Sequence, residues 1–294
     1  MRQDIEFNTE DGTTLRGWWY PGNRGATVVM AHGFSGTKEL FLDDFAEYFS
    51  QAGLGVLVYD HRNLGDSDGE PRQDIDPIQQ VRDYRDAITW VSGRDDVDAD
   101  RIGIWGSSYS GGHVLMVGAI DRRVKCVVSQ VPLVHGRASA QRLVRGDLMA
   151  DMRAMFDADR AARLRGEAPA MLPVYAQNEG DPACLPTADT RDFFQNLSPK
   201  HARNWRNEVT LRSVEMFSEF EPGIYAPMIS PTPLLIAAAL GDVLVPFDLT
   251  AAVFEKALQP KKFVALPGGH FEAYTGRQFE ISEPQQRDWF LEHL

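Results

Sequence analysis

A series of short apolar runs, half of them closed by glycine, limits what this chain can fold into. "ATVVMAHG" (26–33) is followed by "GVLVYD" (55–60), "RIGIWG" (101–106), "VKCVVSQV" (124–131), "PLLIAAALGD" (233–242) and "KKFVALPGG" (261–269). A strand with one wet face alternates apolar and polar residues. Runs that are apolar throughout fit strands covered on both faces of a parallel sheet. Helical spacing occurs between the runs. Phe41, Phe45, Tyr48 and Phe49 share one face, as do Val81, Tyr84, Ile88 and Val91. Further helices are expected from about Ser108 to Asp121, from Asp248 to Leu258, and from Pro284 to the C-terminus. Strand alternating with helix predicts an α/β fold, doubly wound about a mostly parallel sheet. The opening "DIEFNTEDGTTLRGWWYPG" alternates and breaks at Asp11-Gly12, which predicts a β-hairpin.

One stretch interrupts the rhythm. Between "SQVP" (129–132) and "SPTP" (230–233) lie roughly 100 residues with no buried-strand run, too many for a plain loop. Leu148, Met152, Met155 and Phe156 recur at helical spacing there, and Val209, Val214, Phe217 and Phe220 form a rougher stripe. The expected organisation is a core of residues 1–132 and 231–294, with a mainly helical cap at 133–230 inserted between two core strands.

Composition narrows the function class. Of 294 residues, 42 are acidic and 30 basic, giving a formal charge of −12, and no basic cluster stands out. Such a surface repels polyanions, so no nucleic-acid partner is expected. The two cysteines, Cys126 and Cys184, form neither a disulfide framework nor a zinc pattern. No window is apolar enough to span a bilayer, and the first residues do not resemble a secretory signal. The expected compartment is the cytoplasm, without a membrane partner. Assembly as a monomer or a homo-oligomer is left open.

"GSSYSGG" (106–112) is the candidate reactive turn. A strand-to-helix turn sharp enough to present a nucleophile needs small residues two positions either side of it. Ser107 fails, flanked at that distance by Trp105 and Tyr109. Ser108, between Gly106 and Ser110, passes, and so does Ser110, between Ser108 and Gly112. The elbow must also follow the strand directly, which favours Ser108 over Ser110.

A serine hydroxyl needs a base to take its proton and an acid to orient that base. In this architecture the chain order is Ser, then Asp or Glu, then His. Asp242 in "ALGDVLVP" and His270 in "LPGGHFEAY" both end buried runs, where doubly wound sheets keep their sites. Asp248 and Glu272 are the rival acids. Asp248 reads instead as the start of the following helix. Donors for an oxyanion are expected from the backbone N–H groups of Tyr109 and of Phe34 in "AHGFSG". His32 is expected to brace that loop.

With those residues in hand, the chain resembles an α/β-hydrolase over residues 1–132 and 231–294, through "HGFSG", "YDHRNLGDSDG", "GSSYSGG", "GDVLVP" and "GGH". "YDHRNLGDSDG" is similar to the Asp-Arg-Gly-x-Gly-x-Ser loop of many relatives, with Asn63 and Leu64 where glycine is common. Asp60, His61 and Arg62 are expected to shape and brace the site. Within that superfamily the chain most resembles X-Pro dipeptidyl-peptidases, cocaine-esterase-like hydrolases and fungal polyketide transferases. Some esterases and peptidases of that branch use a tyrosine hydroxyl as an oxyanion donor. Here the loop offers Phe34, which has only its backbone N–H, so the resemblance implies a hydrolase in general more than a peptidase.

The expected activity is cleavage of a carboxylic ester with a hydrophobic acyl or aryl group, through an acyl-enzyme on Ser108 and with no metal or organic cofactor. Most cap aromatics and methionines are expected to form the cap's own core. Phe34, Tyr109, Met152, Phe156, Phe217 and Tyr225 are the candidates to touch a small-molecule ester. Arg212 and Glu215 are spaced as a helical ion pair. His113, His135 and His201 are expected to be structural. The same residues also serve an acyltransferase or thioesterase, a C–C bond hydrolase or a peptidase. A non-catalytic receptor would be expected to lack one of Ser108, Asp242 and His270.

Overall fold

The computed structural model describes residues 2–178 and 180–294. β1 (Gln3–Asn8) and β2 (Thr14–Tyr20) form the expected hairpin, turning at Gly12 with φ +86°. Then come β3 (Thr27–Ala31), α1 (Leu42–Gln51), β4 (Gly55–Tyr59), α2 (Pro77–Ser92), β5 (Ile102–Ser107), α3 (Tyr109–Ile120) and β6 (Val124–Gln130). The stretch that follows holds α4 (Gly136–Leu143), α5 (Met149–Leu164), β7 (Met171–Leu172), α6 (Ala188–Gln195), β8 (Val209–Thr210) and α7 (Leu211–Glu219). The chain then returns through β9 (Leu234–Ala239), α8 (Phe247–Lys256), β10 (Lys261–Leu266) and α9 (Gly276–His293).

The main sheet runs β1-β2-β4-β3-β5-β6-β9-β10, parallel from β4 onward. Residues alternate between its two faces, as the pleat requires. Val28 and Met30 of β3 join the core under α1 and α9, with Phe45, Phe49, Trp105 and Phe290. Val29 and Ala31 join the opposite core, under α2, α3 and α8, with Val81, Tyr84, Val117 and Val253. Both cores exclude water, which is why β3, β4, β5, β6 and β9 read as continuous apolar runs, whereas β10, at the edge of the sheet, is only partly buried. The helices start where local chemistry favours it. Asp76 caps α2 by accepting from the N–H groups of Ile78 and Gln79, both at 3.1 Å, and Pro77 supplies the first turn.

The last helix departs from expectation. α9 begins at Gly276 and Pro284 lies inside it, although a proline there gives no N–H to the preceding turn. Buried Ser282, Gln286, Trp289 and Phe290 anchor the helix on both sides of the proline. Packing therefore overrides the local break.

Parallel strands place their C-terminal ends at one edge of the sheet. The loops after β3, β5, β9 and β10 meet there, carrying Phe34, Ser108, Asp242 and His270. α4, α5, α6 and α7 come from the long connection between β6 and β9. Among the described residues, no helix is long and apolar enough to cross a membrane.

Candidate active site

The three serines of the turn have three different surroundings. Ser107 is buried and its hydroxyl bonds to the Tyr274 hydroxyl. Ser110 is also buried, donating to the His32 carbonyl at 2.5 Å, with His61 Nε2 at 2.8 Å and His113 Nδ1 at 3.1 Å. Ser108 alone is partly open. It sits between β5 and α3 at φ 56°, ψ −114°, a strained conformation for a residue with a side chain. The crowding that demands small neighbours is visible at Gly106, where a Cβ would lie 2.0 Å from the Ser110 carbonyl oxygen. The Ser108 N–H donates to Gln130 of β6 at 2.8 Å, fixing the turn to the sheet.

His270 Nε2 lies 3.0 Å from Ser108 Oγ, and His270 Nδ1 lies 2.7 Å from Asp242 Oδ2. The other Asp242 oxygen accepts the N–H groups of Leu244 and Val245, both at 2.9 Å. The carboxylate is thus held on three sides, and its acceptor role makes Nδ1 the protonated nitrogen of His270. Nε2 is left with a lone pair directed at the hydroxyl. The imidazole and the carboxylate are both buried. The rival acids are engaged elsewhere. Asp248 pairs with Arg142 at 2.6 Å, and Glu272 accepts from Gln278 at 2.8 Å.

Two backbone N–H groups next to the Ser108 turn have no acceptor of their own. Tyr109 is the first residue of α3, so its N–H has no intrahelical acceptor. The Phe34 N–H has no acceptor among the described residues. Gly33 packs directly on Ser108, which brings the Phe34 peptide beside the hydroxyl.

The loop carrying Phe34 is pinned from behind. Lys38 is buried, with Asp60 and Asp66 each 2.6 Å from its ammonium and Glu39 at 3.2 Å. Burial opposes this charge, but the Coulombic pull of Asp60 and Glu39 and the hydrogen bonds to Asp60 and Asp66 outweigh it, raising its pKa. Asp60 also accepts the Lys38 N–H at 2.7 Å. His32 accepts the His61 N–H at 3.0 Å, and Arg62 pairs with Asp83 at 2.6 Å. These are the bracing roles expected for Asp60, His61, Arg62 and His32.

The profile of the alpha/beta hydrolase fold family matches residues 26–276. This chain is an α/β-hydrolase. It is 32% identical over 290 residues to a thiohydrolase of Eupenicillium brefeldianum, covering 97% of this chain and 92% of that protein. It is 34% identical over 282 residues to a polyketide transferase of Stachybotrys chlorohalonatus, covering 95% and 93%. Among solved structures, the α/β hydrolase GrgF from Penicillium superposes with a TM-score of 0.87 at 30% identity, covering 100% of this chain and 99% of that one. These likenesses span the inserted helices as well as the core and make the hydrolase an enzyme of the hydrolase and acyl-transfer kind.

The residues of this hydrolase expected to touch substrate lie in different surroundings. Phe34, Met152 and Phe217 line an apolar cleft beside the site. Phe156 is buried one turn further along α5 than Met152, about 6 Å away along the helix axis, and is not in the lining of that cleft. Tyr225 lies on a turn (Pro222–Met228) packed against α3 and α8, and is not in that lining either. The Tyr109 ring is fully covered, stacked on Phe217 at 5.8 Å, so its backbone rather than its side chain faces the site. Arg212 and Glu215 do not pair with each other. Arg212 reaches Asp74 at 2.6 Å and Asp76 at 2.7 Å, and Glu215 meets Arg160 at 2.7 Å, because partners on other elements lie closer to hand. Lys38, Tyr274 and the hub position of Ser110 do not follow from the sequence motifs. Only Lys38 had a visible signal, as a cation placed just after "HGFSG".

Proposed function

We propose that this hydrolase forms an acyl-enzyme on Ser108 and cleaves an ester carrying a hydrophobic acyl group. One observation carries the reading: Ser108 Oγ, His270 and Asp242 form one unbroken chain of 3.0 Å and 2.7 Å contacts at a strained, partly open serine. Nε2 takes the Ser108 proton as the oxygen attacks the carbonyl carbon. The carbonyl oxygen gains the negative charge and accepts from the Phe34 and Tyr109 N–H groups. Asp242 holds the imidazole and stabilises it once it is charged. The imidazolium then returns its proton to the leaving atom as the bond breaks. Water, deprotonated by Nε2, releases the acid and restores Ser108. Each donor to the oxyanion contributes about 3 kcal/mol of transition-state stabilisation in such sites. The apolar linings beside Phe34 support a hydrophobic substrate over a charged one.

A second reading is favoured by the names of the relatives, a thiohydrolase and a polyketide transferase. There the acyl group leaves a thioester or passes to an alcohol, by the same residues and the same steps. One experiment separates the two: octanoyl esters and octanoyl thioesters are compared as substrates, with and without an added alcohol. Faster ester turnover to free acid supports the first reading. Faster thioester turnover, or transfer product exceeding acid, supports the second. Turnover by Ser108→Ala equal to the parent refutes both.

A further inference from the structure

Two apolar clefts flank Phe34, and their linings differ in kind. One lies under α4, α5 and α7 and is walled by Leu143, Val144, Met152, Leu185, Val214 and Phe217. The other is walled by Leu40, Phe193, Phe194, Phe271 and Tyr274. Phe34 lines both. Its ring is buried edge-on against Tyr109 at 5.3 Å and Phe217 at 5.5 Å, so it is a fixed partition.

His270 distinguishes the two sides. When the bond from the carbonyl carbon to the leaving atom breaks, the electron pair goes to that atom and the proton on Nε2 follows it. The leaving group must therefore sit on the imidazole side. Phe271 is the next residue after His270, with ring centres 5.1 Å apart, and it stacks on Phe193 at 4.3 Å. The Tyr274 ring is 6.3 Å from the imidazole. The lining of the aliphatic cleft contains neither Phe271 nor Tyr274. It connects to the site through Phe34 and through Phe217, which stacks on Tyr109.

Resting on the acyl-enzyme reading above, we infer that the aromatic cleft takes the leaving group and the aliphatic cleft takes the acyl chain. The substrate class is then an ester of an aliphatic acid with an aromatic alcohol. Faces and edges of Phe193, Phe194 and Phe271 recognise a ring by offset or edge-on stacking. Reversibility of the steps places any incoming acceptor in the same aromatic cleft, so a transferase built on these residues would acylate aromatic alcohols.

The two arms are read separately in the full chain. p-Nitrophenyl esters from acetyl to dodecanoyl vary the acyl arm, and phenyl against ethyl acetate varies the leaving arm. Val214→Trp fills the aliphatic cleft. It is expected to lower kcat/KM for octanoyl relative to acetyl by roughly tenfold, with the phenyl-to-ethyl ratio within about twofold of the parent. Phe193→Ala opens the aromatic cleft and is expected to lower the phenyl-to-ethyl ratio by roughly tenfold while leaving the acyl-length profile in place. If Phe193→Ala does not fold, Phe271→Leu reads the same arm. Exchanged effects, or no change in either ratio from folded variants, overturn the assignment and leave the acyl-enzyme reading intact. No turnover of any of these esters by the folded parent overturns both.

Discussion

Gly33 packs so closely on Ser108 that a Cβ at residue 33 would lie 2.8 Å from the Ser108 Cβ and 3.3 Å from its Oγ. The loop that offers the Phe34 N–H and the turn that offers the hydroxyl therefore have a fixed separation. Gly33→Ala must push them apart. Loss of one oxyanion donor or a displacement of about 1 Å costs roughly 100-fold in kcat. The expected result is that loss with a nearly unchanged melting temperature. Activity within threefold of the parent would show that the Phe34 peptide is not used.

Ser110 is the hub behind that loop. Its hydroxyl donates to the His32 carbonyl and accepts from two buried imidazoles. Ser110→Ala strands three buried polar groups, with an expected cost of at least about 2 kcal/mol in urea unfolding. Because the His32 peptide leads into Phe34, kcat is expected to fall more than KM rises. A variant as stable and as fast as the parent would remove Ser110 from the account.

The same region sets a pH dependence. Burial pushes the His32 imidazole down to about 4, His113 down to about 3, and His61 well below the ordinary histidine value. All three are neutral in the fold and gain protons more readily once the chain unfolds. Their contribution to stability is full above pH 6.5 and is lost as pH falls toward 4, by up to about 1.4 kcal/mol per pH unit for each ring. Glu283 works the other way. Burial pushes its carboxyl up to about 7, so its contribution is lost as pH rises from 4.5 through 7. Three rings outweigh one carboxyl, and the urea midpoint is expected to be lower at pH 5 than at pH 7. An equal or higher midpoint at pH 5 would contradict these environments.

Arg212 ties α7 to the loop before α2, through Asp74 at 2.6 Å and Asp76, the α2 cap, at 2.7 Å. Arg212→Ala leaves the buried Asp74 carboxylate without its cation. The expected loss is about 1–3 kcal/mol in chemical unfolding, with KM raised because α7 also carries Val214 and Phe217. An unchanged unfolding midpoint together with an unchanged KM would contradict that anchoring role.

Much of this was legible beforehand, and the reasons are physical. Strands buried on both faces leave continuous apolar runs, and the crowded elbow around Ser108 leaves a pattern of small residues at fixed offsets. Asp242 and His270 are readable because strand ends are readable. The clefts were not. Whether Met152 or Phe156 faces a substrate depends on where α5 lies along its own axis above the core, which helical periodicity does not encode. The Arg212 partners are more than a hundred residues away, so spacing along α7 pointed to Glu215 instead. Pro284 marked a helix start by local rule, and packing of Trp289 and Phe290 carried the helix through it.

The identity of the nucleophile is tested most directly by labelling the folded protein with a fluorophosphonate and mapping the modified peptide by mass spectrometry. One label per chain is expected, on Ser108, abolished in Ser108→Ala and slowed at least roughly 100-fold in His270→Ala. A label on Ser110, or rapid labelling that survives Ser108→Ala, would contradict it.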